Sequence, residues 1–363
     1  MDALIGNQTG NYNTASGAQT LTVNSGNNNT AAGYQALYSN TTGSYNTADG
    51  MQALNQNTTA NYNTASGFAA LFLNTTGSSN SAFGMQTLYN NNTGTSNTAS
   101  GTNALFTNSS GNNNTAAGVS ALYHNTTASN NTATGYQALT SNKTGNYNTA
   151  TGALALQHNT IGIHNVALGA AALQVNTSGS TNIAVGYGAG AALTTGSSNI
   201  DIGAAGAAGE SGRIRIGTVG AQTATFVAGV NGAVVTGAAV YVTTAGQLGV
   251  LASSERYKTK VTPMGSSTEK LAELRPVSFH LKSDPKAGVQ YGLIAEEVAK
   301  VYPELVVRGQ KGEIEGVRYE ELTPMLLNEL QQQQGRLAEQ EAQLQDMRSQ
   351  LADLRRAMQE RTH

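Results

Sequence analysis

Glycine recurs along the first two hundred residues at a nearly constant interval. Gly17 is followed by Gly33, Gly50, Gly67, Gly84, Gly101, Gly118, Gly135, Gly152, Gly169, Gly186 and Gly203, with one step of 16 and ten of 17. Leucine stands four residues after each of the first ten, from Leu21 to Leu173, and asparagine four before each, from Asn13 to Asn199. The unit reads N-T-A-x-G-x-x-A-L-x-x-N-T-x-G-x-x, and a period this strict governs the fold. One unit holds too few apolar residues to bury a core, whereas stacked copies set Leu on Leu and Ala on Ala in continuous ladders. Asn, Thr and Gly near both ends of each unit leave no helix of useful length. The expectation is therefore a mainly β chain: a β-solenoid of short strands and tight turns over residues 1–203. Gly and Asn should supply left-handed turn conformations, Thr the strand positions, and stacked Asn hydrogen bonds along the axis. At about 4.8 Å per coil the shaft spans about 50 Å.

Charge divides the chain. Of its 40 Asp, Glu, Lys and Arg residues only Asp2, Asp49, Lys143 and Asp201 lie in the first 203 positions. The net charge of -2, with cations interleaved among acids, gives no pull toward nucleic acid. No Cys is present, so no disulfide or thiolate metal site is expected. The N-terminus MDALIGNQTGNYNT lacks the basic and apolar segments of a secretory signal, and no apolar run approaches 18 residues, so membrane insertion is not expected. Sparse carboxylates disfavour a polysaccharide hydrolase and exclude a calcium-binding nonapeptide roll. The N-x-T triplets read as ladder and turn residues rather than glycan acceptors. The Thr column (Thr14, Thr30, Thr47, Thr64 and onward) makes an ice-binding face a remote alternative, because Ser81, Val166 and Ile183 interrupt it.

The later repeats turn apolar, as N-V-A-L-G at 165–169, N-I-A-V-G at 182–186 and N-I-D-I-G at 199–203. In their core these resemble the head repeats of trimeric autotransporter adhesins, which implies left-handed β-rolls assembled as trimers. From 204 to 252 short β-rich runs follow, RIRIG at 213–217, TATFVAGV at 223–230, AVVTG at 233–237 and AAVYVTTAGQLGVLAS at 238–253. They suggest a neck of hairpins or interwoven strands of a trimeric prism. Arg213 and Arg215 share one strand face, which reads as solvated.

From residue 253 the sequence becomes specific. Leu251-Ala-Ser-Ser-Glu-Arg-Tyr-Lys-Thr-Lys260 is followed by Leu274-Arg-Pro-Val-Ser-Phe279, Tyr291-Gly-Leu-Ile-Ala-Glu-Glu-Val298, Tyr302-Pro-Glu-Leu-Val-Val307 and Val317-Arg-Tyr-Glu-Glu-Leu322. In this order the segments resemble the intramolecular chaperone domain of phage endosialidases and tail fibres, a family of self-cleaving serine peptidases. The resemblance implies a small α+β domain over 253–329. Its Ser-Asp-x-Arg-x-Lys pattern, laid on this chain, makes Ser253 the nucleophile and Lys258 its base, with cleavage between Ala252 and Ser253. Ser254, standing where the family usually has Asp, and Arg256 are the supporting residues. No cofactor is implied.

In the last stretch, 330–363, Leu330, Leu337, Leu344, Leu351 and Met358 recur every seven residues, with Gln333, Gln340, Met347 and Leu354 three later. This is the seam of a coiled coil, expected to be trimeric; the alternative is one amphipathic helix lying on its own domain. The whole then implies a homotrimeric fibre of a tail-fibre or adhesin kind, on a virion or a cell surface; the alternative is a bacterial surface or secreted adhesin or structural fibre whose chaperone domain does not cleave. A cell-surface glycan or protein receptor is the expected partner, and single-turnover autoproteolysis the only expected activity.

Overall fold

Strands of three residues carry the shaft. The computed structural model describes residues 3–228, 239–243, 245–282, 288–309 and 311–360. In it thirteen strands, from β1 (Thr14–Ser16) to β13 (Ile214–Ile216), pair in chain order into one parallel sheet. Pairing is residue on equivalent residue, Thr14 opposite Thr30 and Ala15 opposite Ala31, through to Ile200 opposite Ile214. The sequence period is thus the pitch of a parallel β-solenoid of about twelve turns. Alternation along each strand sends the middle residue inward. The column from Ala31 to Ala184 is accordingly buried beside the leucines from Leu21 to Leu173.

Two asparagine columns are buried with them. In the first, each Nδ2 donates to the Oδ1 of the Asn one coil back and to a carbonyl three residues on; for Asn108 these are Asn91 at 2.7 Å and Gly111 at 3.0 Å. In the second, the backbone N–H of Asn97 donates to Asn80 Oδ1 at 3.0 Å while its own Nδ2 reaches the Gly111 carbonyl at 2.8 Å. Asn40, Asn57, Asn74 and Asn125, which head N-x-T triplets, belong to the first column and are fully buried. In the folded shaft they are ladder residues closed to a glycan.

The left-handed positions differ from expectation. The repeat glycine does take positive φ, but the other such positions fall mainly on the buried leucines and on residues such as Gln35, Tyr45 and Ser79. Every leucine from Leu21 to Leu173 in the buried column has φ between 49° and 53°. The physical reason is that most Asn side chains are consumed in the ladders, and complete burial of Leu offsets a backbone cost of about 1–2 kcal/mol per residue. At Gly118, with φ of 137°, an added Cβ would stand 2.5 Å from the carbonyl oxygen of Gly135 in the next coil. Gly118→Ala is expected to destabilise the shaft by about 3 kcal/mol or more, measured by urea unfolding, since both backbone conformation and stacking forbid it.

The ladders end where the repeat changes. Leu193 stands one period after Asn176, and Asn176 Oδ1 is left without a hydrogen bond. Asp201 takes the inward strand position held by alanine in the preceding strands. It is buried, neither of its carboxylate oxygens is hydrogen-bonded, and Arg215 opposite it bonds Glu210 instead, at 2.6 Å. Burial raises the Asp201 pKa, as does the nearby Glu210 charge, against a lowering by Arg215. A raised carboxyl pKa means that stability is full below the ordinary carboxylate range and falls as pH rises through the raised value. Asp201→Ala is therefore expected to stabilise the last coils at pH 7 and flatten their pH dependence, read by urea unfolding at pH 4 and pH 7.

Ile214–Ile216, within the RIRIG run, joins the shaft sheet, and Arg215 is the ion-pair partner of Glu210 rather than a purely solvated cation. Of the other neck runs, residues 233–237 lie outside the described residues, as do 229, 230, 238 and 244. Tyr241–Val242 (β14) and Leu248–Gly249 (β15) form a two-stranded sheet.

A second compact unit comprises 239–241 and 249–363. Val277–Phe279 (β16) pairs antiparallel with Gln290–Gly292 (β17), and Val306–Arg308 (β18) with Ile314–Val317 (β19). Helix α1 (Ala295–Val301) and the 42-residue helix α2 (Tyr319–Glu360) complete it. Val298, Tyr302, Leu305, Val306, Leu322 and Met325 form the core. A 3₁₀ segment, Gly265–Glu273, is fastened to α2 by Asn328, whose Nδ2 donates to the Gly265 carbonyl at 2.9 Å and to Thr268 Oγ1 at 2.7 Å.

Candidate self-cleavage site

Ser253 and Lys258 flank a single 3₁₀ turn, Glu255–Tyr257. The turn is closed by the Tyr257 N–H donating to the Ser254 carbonyl at 3.0 Å and by the Lys258 N–H donating to the Glu255 carbonyl at 2.9 Å. Ser254 is the residue before the turn, in extended conformation, and its hydroxyl makes no capping bond. Arg256 lies over the Tyr257 ring, 4.7 Å from its centroid. Lys260 has φ of 53°. All ten residues from Leu251 to Lys260 are exposed, and among the described residues no hydrogen bond joins Ser253 to Lys258. The turn places the candidate nucleophile Ser253 and candidate base Lys258 on one short segment, while the single chain supplies none of the desolvation that a lysine base requires.

The four downstream motifs converge. Leu274, Leu293, Val298, Tyr302, Leu305, Val306, Val317 and Leu322 all lie in or against the core of the second unit. Tyr319 joins two of them, its hydroxyl accepting the Leu293 N–H at 2.8 Å. Arg275 and Glu297 form a bidentate surface pair with a shorter arm of 2.6 Å, tying the 274–279 motif to α1. Tyr302 donates to the Ser267 carbonyl at 3.2 Å, and burial raises its pKa. Motifs that read as a family signature are thus the packing of one small α+β domain.

Residues 253–307 match the chaperone of endosialidase family. This chain therefore carries a chaperone-of-endosialidase domain that follows a β-solenoid. The match begins at Ser253, the residue assigned as nucleophile, and ends at Val307, before β19 and α2. No curated protein matches the chain.

Along α2 the heptad residues Leu330, Leu337, Leu344, Leu351, Leu354 and Met358 are all exposed. No helix among the described residues is long and apolar enough to cross a membrane.

Sequence reasoning missed one feature of the chaperone unit, the clasp of Asn328 on Gly265 and Thr268. The only signal for it is a Gly-Ser-Ser-Thr run at 265–268, whose partner stands some sixty residues away.

Proposed function

We propose that the chain builds a homotrimeric fibre whose C-terminal domain is an intramolecular trimerisation chaperone that cuts itself away between Ala252 and Ser253. One observation carries the reading: a chaperone-of-endosialidase domain runs into a 42-residue helix, about 63 Å long, whose heptad leucines Leu330, Leu337, Leu344, Leu351 and Leu354 are exposed. A leucine seam of that length finds its partners in other copies. The helices gather three chains, and the chaperone sets them in one register. That service matters here, because a shaft with a uniform 17-residue period keeps almost every contact after slipping by one repeat.

Assembly supplies what the single chain lacks. With the Leu251–Lys260 segment desolvated between copies, Lys258 takes the Ser253 hydroxyl proton and Oγ attacks the Ala252 carbonyl. The peptide bond to the Ser253 nitrogen breaks, that nitrogen receives the proton, and the chain is held as an ester. Water hydrolyses the ester, leaving an Ala252 carboxylate and a new N-terminus at Ser253. Loss of the chaperone removes the route back, and the fibre becomes kinetically trapped. The shaft then serves attachment, on a virion or at a cell surface, to a glycan or protein receptor.

The test compares the full chain with one ended by a stop codon after Ala252. Sedimentation is expected to show trimers from the former and monomers or aggregates from the latter. A properly trimeric shaft made without the chaperone would sink the proposal.

A further inference from the structure

The outward face of the shaft sheet changes chemistry at one level while its geometry does not. Through nine strands the first position is Thr14, Thr30, Thr47, Thr64, Ser81 and their successors to Thr149, all polar. In β10 (Val166–Leu168), β11 (Ile183–Val185), β12 (Ile200–Ile202) and β13 both outward positions become aliphatic. The register is unbroken, Val166 opposite Thr149 on one side and Ile183 on the other. Exposure rises toward the end of the sheet, reaching 70 % at Ile214 and 74 % at Ile216. None of the described residues from 205 to 228 is buried, and Phe226 is 94 % exposed. Among the described residues, an aliphatic strand face and the segment that follows it are therefore exposed over the same stretch.

We infer that this face is where neighbouring copies of the chain meet along the shaft, and that the nine coils whose first strand residue is Thr or Ser stay apart. The inference rests on the homotrimer reading and adds the location and extent of the contact. Its occupant is the same face of another copy. The outward side chains of the patch are uncharged, so it does not suit a charged partner. Copies aligned in register also bring identical aliphatic rows together. Four strands at about 4.8 Å spacing and about 10 Å of length offer roughly 190 Å², about a quarter of the ~800 Å² that each partner of a stable interface buries. Such a face cannot gather chains by itself; it closes an assembly that the α2 seam has begun. The inward-pointing Asp201 does not interrupt it.

Because the chain has no cysteine, single substitutions in one outward column report proximity directly. Ile183→Cys, Ile214→Cys and Thr98→Cys full-length chains are treated with a short bis-maleimide, resolved by SDS-PAGE, and sedimented in parallel. The expected result is a trimer in each case, with inter-chain crosslinking at 183 and 214 at least about tenfold faster than at 98, since adjacent thiols meet at millimolar effective concentration. Equal rates at all three positions would overturn the confinement, and no crosslink at 183 and 214 in a trimeric protein would overturn the contact. Monomers in sedimentation would instead bring down the homotrimer reading, and this inference with it.

Discussion

Purified full-length chain is expected to yield a fragment ending at Ala252, and Ser253→Ala to yield none. Without Oγ there is no atom to accept the acyl group, so the loss is complete rather than graded. Lys258→Ala should slow cleavage by about 10²–10⁴-fold, the usual worth of a positioned general base. The same chain supplies nucleophile and target bond, so a weak base suffices for one turnover. Ser254→Ala is the informative control. Its hydroxyl makes no capping bond to the turn, so it should leave the cut in place. Because Leu251–Lys260 is exposed in the single chain, cleavage should also lag behind assembly and slow on dilution. Intact-mass spectrometry of the four chains reads every arm. An uncut wild-type chain that still sediments as a trimer would remove the peptidase and leave the chaperone.

Within the shaft, a polar truncation is expected to cost as much as an apolar one. Leu105→Ala empties a fully buried site and should cost about 2–5 kcal/mol. Asn97→Ala removes the same number of heavy atoms, three, and with them four hydrogen bonds. Its Nδ2 donates to Asn80 Oδ1 and the Gly111 carbonyl, and its Oδ1 accepts from both the backbone N–H and the Nδ2 of Asn114. Alanine leaves the buried Asn114 N–H unpaired at about 1–3 kcal/mol, whereas Asn80 Oδ1, the Gly111 carbonyl and Asn114 Nδ2 each keep a second partner, so with the cavity left behind the total is about 2–4 kcal/mol. Asn97→Asp should be nearly as severe, since a carboxylate cannot donate to the Gly111 carbonyl. Urea unfolding of the shaft provides the measurement, and an Asn97→Ala loss under about 1 kcal/mol would show that the ladders are ornament to the leucine core.

The chaperone domain was legible in part. Ser253 and Lys258 could be named because the motifs after them occur in a distinctive order, and the structure shows what those motifs share: residues from all four meet in one core. The clasp of Asn328 on Thr268 was not legible, because a single amide reaching across sixty residues leaves no periodic or local trace. Nor was the exposure of the Ser253 segment, which depends on what packs over it.

The sequence alone determined the shaft. In a solenoid each coil packs against a translated copy of itself, so the 17-residue period specifies register, the inward Ala and Leu columns and the stacking of asparagine without long-range information. Tertiary structure decided what the period does not encode. It put one left-handed position in each of ten coils on a buried leucine, because most asparagine side chains were already committed to the ladders and burial outweighed the backbone cost. It buried Asp201 without a partner, because Arg215 found Glu210 first. Such outcomes are competitions between neighbours for the same groups, and only the packed chain settles them.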